Sequence, residues 1–252
     1  MKNKTALITG ATSGIGKASA IALAKIGFDI IACGRREQRL IDLKEELPES
    51  TNYTYLVFDV SKRDEVRTAF ESLEDDWKDI DLLINNAGNA HGLSPIQSGD
   101  IDDWDAMMDI NVKGLLYVSK QVMPGMIERK SGQIINIGSI AGKEVYPNGN
   151  AYCASKHAVD ALTKGMRIDL NPYGIKVMGI HPGLVETEFS VVRFKGDEER
   201  ANSVYKGYDP LKAEDIAEII VFAATRPPHV VLADIVVLPT AQANSTILKK
   251  DV

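Results

Sequence analysis

The chain predicts an α/β fold: a single doubly wound parallel sheet of about seven strands with helices on both faces. Three observations carry this expectation. Short apolar runs alternate with longer segments of helical period, the runs are apolar on every position, and a glycine-rich turn follows the first of them. Strands of that kind need cover on both faces, which is how parallel sheets are built. Right-handed crossovers then wind the chain to either side of its starting strand.

Taken in order, Thr5–Thr9 reads as a buried strand, followed by the glycine turn and a helix from about Gly14 to Ile26. Asp29–Cys33 is a second strand, and Arg36–Leu47 is a charged amphipathic helix ended by Pro48. Tyr53–Phe58 is a third strand, with a helix from about Arg63 to Trp77 after it. Leu82–Asn85, Gln133–Ile137, Lys176–Ile180 and Ile235–Leu238 complete the seven. No linker, repeat or low-complexity tract interrupts the pattern, so residues 1–252 read as one domain. The stretch from Glu186 to Asp209 is richest in charge, with Gly196 and Gly207 as breakers, and suits a mobile lid over about 186–209.

Bulk properties narrow the function class. Hydrophobic residues make up 44% and charged residues 25%, an ordinary globular balance. The net charge of −6, from 35 acidic and 29 basic residues, speaks against a nucleic-acid partner. No stretch reaches the ~18 apolar residues of a membrane span, and Met1 to Gly10 lacks the pattern of a secretory signal. A cytoplasmic protein without a membrane partner is expected. Cys33 and Cys153 have no CxxC spacing, and His91, His157, His181 and His229 are scattered, so no metal is expected.

Thr9-Gly10-Ala11-Thr12-Ser13-Gly14-Ile15-Gly16 closes the first strand and opens the first helix. Glycines permit the tight turn and a close backbone approach to a pyrophosphate, while the helix start offers unpaired N–H groups. The G-x-x-x-G-x-G spacing departs from the commoner G-x-G-x-x-G, but its strand–turn–helix setting marks a Rossmann-like dinucleotide cradle. The second strand runs into Gly34-Arg35-Arg36. A carboxylate there would bond the ribose 2′-hydroxyl of NAD; two guanidiniums instead suit the 2′-phosphate of NADP. Cations at a helix N-terminus oppose its dipole, so a bound anion would account for them. The plainer alternatives are a turn without a ligand and arginines that merely solvate a helix start.

Tyr152 and Lys156 lie four apart in Asn150–Leu170, a segment of good helical period, and so share one face. An ammonium beside a phenol lowers its pKa from about 10, toward use as a general base or acid.

With this pair the sequence closely resembles the short-chain dehydrogenase/reductase family over essentially its whole length. The landmarks appear in order: the glycine turn, Asp59-Val60, Asn85-Asn86-Ala87-Gly88, Asn111, Ser139, Tyr152, Lys156, then Pro182-Gly183 and Thr187. The resemblance implies that Ser139 bonds the substrate oxygen and Tyr152 exchanges its proton. Lys156 would lower the tyrosine pKa and hold the nicotinamide ribose, and Asn111 would shape a helix kink and hold a proton-relaying water. Gly10, Thr12, Ser13, Gly14, Ile15 and Gly16 would cradle NADP, with Arg35 and Arg36 on its phosphate. Asp59 and Val60 would contact adenine, and Asn86, Ala87 and Gly88 the ribose side. Pro182, Gly183, Val185 and Thr187 would meet the nicotinamide amide. Family members commonly assemble as homotetramers through two long helices, here about Val112–Lys130 and Asn150–Leu170.

Several stretches resemble the NADP-dependent 3-hydroxy acid dehydrogenases, among them Met123-Pro124-Gly125-Met126, Pro182–Phe189, Val192–Asp197 and Leu238–Ala243. That likeness implies oxidation of the 3-hydroxy group of a short acid such as serine, allo-threonine or 3-hydroxypropionate, or reduction of the semialdehyde. A related branch reduces sulfoacetaldehyde. A small anionic substrate needs a cation, and Arg193, isolated among Val191, Val192 and Phe194, is the candidate; the alternative pairs it with Asp197 or solvent. His91, Glu144 and Tyr146 are weaker candidates for the pocket wall. A noncatalytic dinucleotide-binding regulator is the rival reading, and it would not need Asn111, Ser139, Tyr152 and Lys156 together.

Overall fold

Strand β1 (Thr5–Thr9) is buried at every position and pairs in parallel with β2 (Asp29–Gly34) on one side and β4 (Leu82–Asn85) on the other. The computed structural model describes residues 3–251; Met1, Lys2 and Val252, the ends of the expected domain, lie outside the described residues. With β3 (Tyr53–Val57), β5 (Gln133–Ile137), β6 (Lys176–Pro182) and β7 (Asp234–Val237), the strands form one seven-stranded parallel sheet in the order β3-β2-β1-β4-β5-β6-β7. The chain reverses its winding between β1 and β4. That switch point opens a crevice at the carboxyl ends of the strands, where ligands of such sheets bind.

Strand residues alternate between two faces, and each face has its own core. Ala6 and Ile8 meet α1 (Gly14–Lys25), α2 (Glu37–Leu43) and α9 (Ala213–Ala224). Leu7 meets α3 (Arg63–Glu71), α5 (Leu115–Arg129) and α6 (Asn150–Leu170). The expectation of strands covered at every position holds for the central five apart from the half-buried end residues Gly34 of β2 and Lys176 of β6. The edge strands differ: β3 is mostly half-buried, and β7 alternates exposed and half-buried residues because nothing pairs beyond it among the described residues.

Three helices are shorter than their sequence periodicity predicts. The Arg36–Leu47 segment tightens into a 3₁₀ turn at Lys44–Glu46, and Arg63–Trp77 breaks after Glu71. The segment expected from Val112 starts instead with a π-turn, Asp109–Gly114, joining α4 (Ile101–Met108) to α5. A π-turn inserts one residue into the helical ladder, a feature frequent at functional sites. The lid segment carries two short helices, α7 (Phe189–Arg193) and α8 (Glu198–Ser203). No described helix is long and apolar enough to cross a membrane.

Beneath the crevice, Asn85 and Asn136 are register partners on β4 and β5. Asn85 Nδ2 donates to Asn136 Oδ1 and to Ser119 Oγ of α5, and Asn136 Nδ2 donates to Thr163 Oγ1 of α6, each at 2.9 Å. The two long helices are thus tied to the sheet by fully buried amides, which fixes how far each stands from the strand ends.

Two glycine substitutions should move stability in opposite directions. A Cβ on Gly16 would lie 2.3 Å from the Gly10 carbonyl oxygen, so Gly16→Ala should force α1 off β1 and destabilise by about 1–3 kcal/mol in urea titrations. Gly165, inside α6, has nothing within 4 Å of such an atom, and Gly165→Ala should stabilise by about 0.5–1 kcal/mol.

Candidate active site

At the switch point lies a cleft of about 470 Å³. Its walls take Gly10, Thr12, Ser13, Gly14 and Ile15 from the first turn, Arg35 and Arg36 from beyond β2, and Asp59 and Val60 after β3. Asn86, Ala87 and Gly88 follow β4, and Pro182, Gly183, Val185 and Thr187 follow β6. Ser139, Tyr152, Lys156 and Arg193 complete the set. Two expected residues stand behind the wall. Gly16 serves the close contact between α1 and Gly10, and Asn111 is buried in the π-turn.

The turn is shaped by its neighbours. Gly10 has φ +67°, and a Cβ there would sit 2.8 Å from Asn86 Nδ2; Gly14 has φ +51° and would touch Thr187 Cγ2 at 3.2 Å. Positive φ is the region only glycine enters freely. Thr9 Oγ1 accepts from the backbone N–H groups of Asn86 and Ala87, each at 3.0 Å, lashing the ends of β1 and β4 together.

At one end of the cleft the arginines are already ordered. Arg36 donates to Thr12 Oγ1, to Ser13 Oγ at 2.8 Å and to Glu188 Oε2 at 2.8 Å. Arg39, which sequence reasoning missed, donates to the other Glu188 oxygen at 2.7 Å. Arg35 pairs more loosely with Asp59 at 3.4 Å. A carboxylate of the chain itself thus lies against two of the arginines beside this helix start.

At the other end, α6 delivers Tyr152 and Lys156, both buried. Lys156 Nζ donates to the Ile137 carbonyl at 3.0 Å. Burial disfavours its charge and brings its pKa down from 10.5 to about 8. The Asn111 carboxamide accepts from Asn89 N at 2.8 Å and donates to Asn89 O and Ser155 Oγ. A Cβ on Gly88 would stand 3.1 Å from Asn111 Oδ1 and 3.4 Å from Lys156 Nζ, so those two polar atoms converge there. Burial pushes the Tyr152 phenol above its ordinary range and the neighbouring Tyr146 phenol adds to this, while Arg193 and a hydrogen bond with Ser139 pull it down.

Arg193 closes this end. Its guanidinium lies 5.2 Å from the centre of the Tyr152 ring and 5.6 Å from that of Tyr146, and it donates to Tyr146 Oη at 2.5 Å. Its Nε is buried with no hydrogen-bond partner. Asp197, the alternative partner, instead caps α8 by accepting from Arg200 N. Phe189 packs on Tyr152 with ring centres 5.7 Å apart.

A family model described as short chain dehydrogenase matches residues 4–198. The chain belongs to the short-chain dehydrogenase family. It is 44% identical over 238 residues to the NADP-dependent 3-hydroxy acid dehydrogenase of Salmonella typhi, covering 94% of this chain and 95% of that one. Sulfoacetaldehyde reductase 2 of Chromohalobacter salexigens is 42% identical, with 95% of each chain covered. The closed form of a serine dehydrogenase complexed with NADP⁺ superposes with a TM-score of 0.91 at 40% identity, covering 96% of this chain and 98% of that one.

Within this short-chain dehydrogenase, some candidates fall elsewhere. His91 does not line the main cleft but a small recess beside it, with Asp103 and Trp104, whose wall Tyr152 and Arg193 share, and it contacts Asn89 Nδ2. Glu144 accepts from Ser245 N and anchors the C-terminal segment, whereas Tyr146 does face the cleft. Among the described residues, Asp160, His181 and Asp234 form a grouping with metal-ligand chemistry. The Lys143 ammonium already bridges its carboxylates, at 2.7 Å from Asp160 and 2.6 Å from Asp234, and supplies the positive charge.

The buried amine gives a pH test. Its folded pKa is depressed, so the unfolded chain holds the proton more tightly, and stability rises as pH climbs from about 8 toward 10.5. Lys156→Met removes the burial penalty of the ammonium. The melting-temperature difference, variant minus wild type, should therefore be most positive at pH 7 and shrink by pH 9.5, and a pH-independent difference would contradict a folded pKa held below that of the unfolded chain.

Proposed function

We propose that the chain is an NADP-dependent dehydrogenase/reductase acting on the 3-hydroxy group of a short hydroxy acid, or on the matching semialdehyde. The observation that carries this is the presence of an ordered arginine cluster and the Ser139, Tyr152, Lys156 and Arg193 set at opposite ends of one cleft. The residues present fit the dinucleotide. Glycines 10 and 14 leave a cradle that side chains would fill, and Arg36 and Arg39 already hold a carboxylate where a phosphate would lie. The nicotinamide, when bound, supplies or takes the hydride. In reduction, Tyr152 Oη gives its proton to the substrate oxygen, Ser139 Oγ orients that oxygen by a hydrogen bond, and Lys156 holds the ribose side and refills the proton. Oxidation runs the same steps in reverse.

Arg193 supplies the substrate preference. Its fork suits a carboxylate, its Nε lacks a partner, and it sits over the ring of the proton donor, so an acid held there places its third carbon near the phenol. A sulfonate fits the same fork, which agrees with the likeness to the sulfoacetaldehyde reductase. The complete proton-handling set argues against a noncatalytic regulator. In this reading the described residues form one NADP-binding domain, with residues 186–209 as its substrate lid. The same reading gives a cytoplasmic homotetramer built through α5 and α6, where Leu116 and Ile168 are exposed apolar residues.

Loss of NADPH absorbance with malonic semialdehyde tests the activity, and Tyr152→Phe should lower kcat by at least about 10²-fold while NADPH binding survives. A panel of serine, allo-threonine, 3-hydroxypropionate, 3-hydroxyisobutyrate and isethionate with each cofactor tests the rest; better turnover with NAD than NADP would refute the role of Arg35 and Arg36. Arg193→Ala should raise KM for acidic substrates by about ten- to a hundredfold, the loss of one charge-assisted bond. An unchanged KM would remove Arg193 from the substrate site.

A further inference from the structure

The turn that carries Ser139 is held at both ends. It begins at Gly138, which follows β5 and donates its backbone N–H to the Ile180 carbonyl of β6 at 2.7 Å. Its short 3₁₀ helix, Ile140–Gly142, is capped by the Ser139 hydroxyl, which accepts from Ala141 N, and it ends at Lys143. Gly142 has no side chain to keep the turn off α6: a Cβ there would lie 2.6 Å from the Lys156 carbonyl oxygen. The catalytic serine thus rides on a turn that rests against the helix of Tyr152 and Lys156.

One polar cluster holds both ends. At the start, the buried His181 ring fills the space that two glycines leave. A Cβ on Gly138 would lie 2.3 Å from its Nδ1, and one on Gly179 2.5 Å from its Nε2. The same Nε2 stands 2.7 Å from Asp234 Oδ1 on β7. At the far end, the Lys143 ammonium donates to Asp160 Oδ1 at 2.7 Å and to Asp234 Oδ2 at 2.6 Å. Asp160 belongs to α6, one turn beyond Lys156 and two beyond Tyr152. Burial works against the charge on Lys143, but its bonds to the two carboxylates prevail and hold its pKa above the ordinary lysine range. The Lys143 and Asp160 side chains are only 20% and 13% exposed, so salt screens this pair less than an open surface pair. None of the four residues lines the cleft, so they reach the chemistry only through what they hold.

We propose that Lys143, Asp160, Asp234 and His181 form a clamp that sets the catalytic serine against Tyr152. Lys143 and His181 are positioning residues for Ser139, and Asp160 ties the turn to α6. This rests on the reading that Ser139 and Tyr152 act together on the substrate oxygen. The serine hydroxyl has to meet both the phenol and that oxygen, and a misplacement of about 1 Å in such a group can cost about 10²-fold in rate. A 3₁₀ helix of three residues is too short to fix its own direction, so the clamp supplies it.

The test uses the full chain. Lys143→Met removes the bridge, Lys143→Arg restores it with a fork that fits carboxylates, and His181→Leu tests the other end. NADPH oxidation with malonic semialdehyde gives kcat and KM, and amide hydrogen exchange without cofactor reports the mobility of residues 138–143. Lys143→Met should lower kcat about ten- to a hundredfold with NADPH affinity unchanged, and Lys143→Arg should recover most of the loss. Exchange over residues 138–143 should quicken in Lys143→Met while that of β1 stays as in wild type. The same substitutions in a Ser139→Ala background separate positioning from plain stability. If the clamp works through the serine, Lys143→Met and His181→Leu cost nothing further once Ser139 is gone; a loss of general stability would cost the same in both backgrounds. An undiminished kcat in Lys143→Met, unchanged exchange over 138–143, or equal losses with and without Ser139 overturns the clamp and leaves the redox reading standing. A Ser139→Ala enzyme as fast as wild type, or a wild type inactive on malonic semialdehyde and on every alcohol of the panel, overturns that reading and the catalytic role of the clamp with it.

Discussion

A single buried carboxamide holds the catalytic end together. Asn111 bonds both backbone polar groups of Asn89 and the hydroxyl of Ser155, so it joins the loop after β4 to the π-turn and to α6. Each of those bonds is buried, and a buried polar group left without its partner costs about 1–3 kcal/mol. The π-turn is the backbone solution to this demand, because the extra residue swings Asn111 inward while α4 and α5 continue on either side. With α6 held this way, Tyr152 and Lys156 have no freedom to drift from the strand ends. Gly88 completes the arrangement by leaving room for the two polar atoms that meet there.

That rigidity has an electrostatic price. Desolvation drives the Lys156 amine and the Tyr152 phenol toward their neutral forms from opposite sides. The sequence assigns the counter-effect on the phenol to Lys156, four residues along the helix. In the fold the groups that pull the phenol downward are instead Arg193 and Ser139, which arrive from the lid and from the end of β5. A cation carried on the lid therefore does two things at once: it favours the phenolate and it offers a donor to an anionic substrate. An acid bound to Arg193 would offset part of its positive charge, so substrate charge and tyrosine acidity are not independent in this cleft.

The strands, the glycine turn and helix Asn150–Leu170 were legible because their signals are local: apolar runs, positive-φ glycines and a 3.6-residue period. Nearly every site residue nominated from the family landmarks lines one cleft, since a parallel sheet gathers the residues after its strands at one edge. What stayed hidden were pairings between distant segments. Arg39 reads as an ordinary helix arginine until Glu188 is seen beside it, and Tyr146 as a loop aromatic until Arg193 donates to it. The Lys143 bridge between Asp160 and Asp234, beside the buried His181, likewise spans three parts of the chain. The π-turn left no mark on periodicity, because one inserted residue shifts the pattern by less than a helical turn.

The residues from Thr187 to Arg193 show how much a short segment can coordinate. Thr187 lies against the phosphate turn, Glu188 against the arginines, Phe189 against the catalytic ring, and Arg193 over both that ring and Tyr146. In a parallel sheet the cofactor and substrate ends of the cleft are built from different strand termini, and nothing in the sheet itself makes one respond to the other. A segment that touches both is the route any such response would take, and here it touches them through one charged contact and one tilted aromatic contact. The charged contact is exposed and weak, while the aromatic contact sets the half-buried Phe189 ring, tilted, against the buried Tyr152 ring.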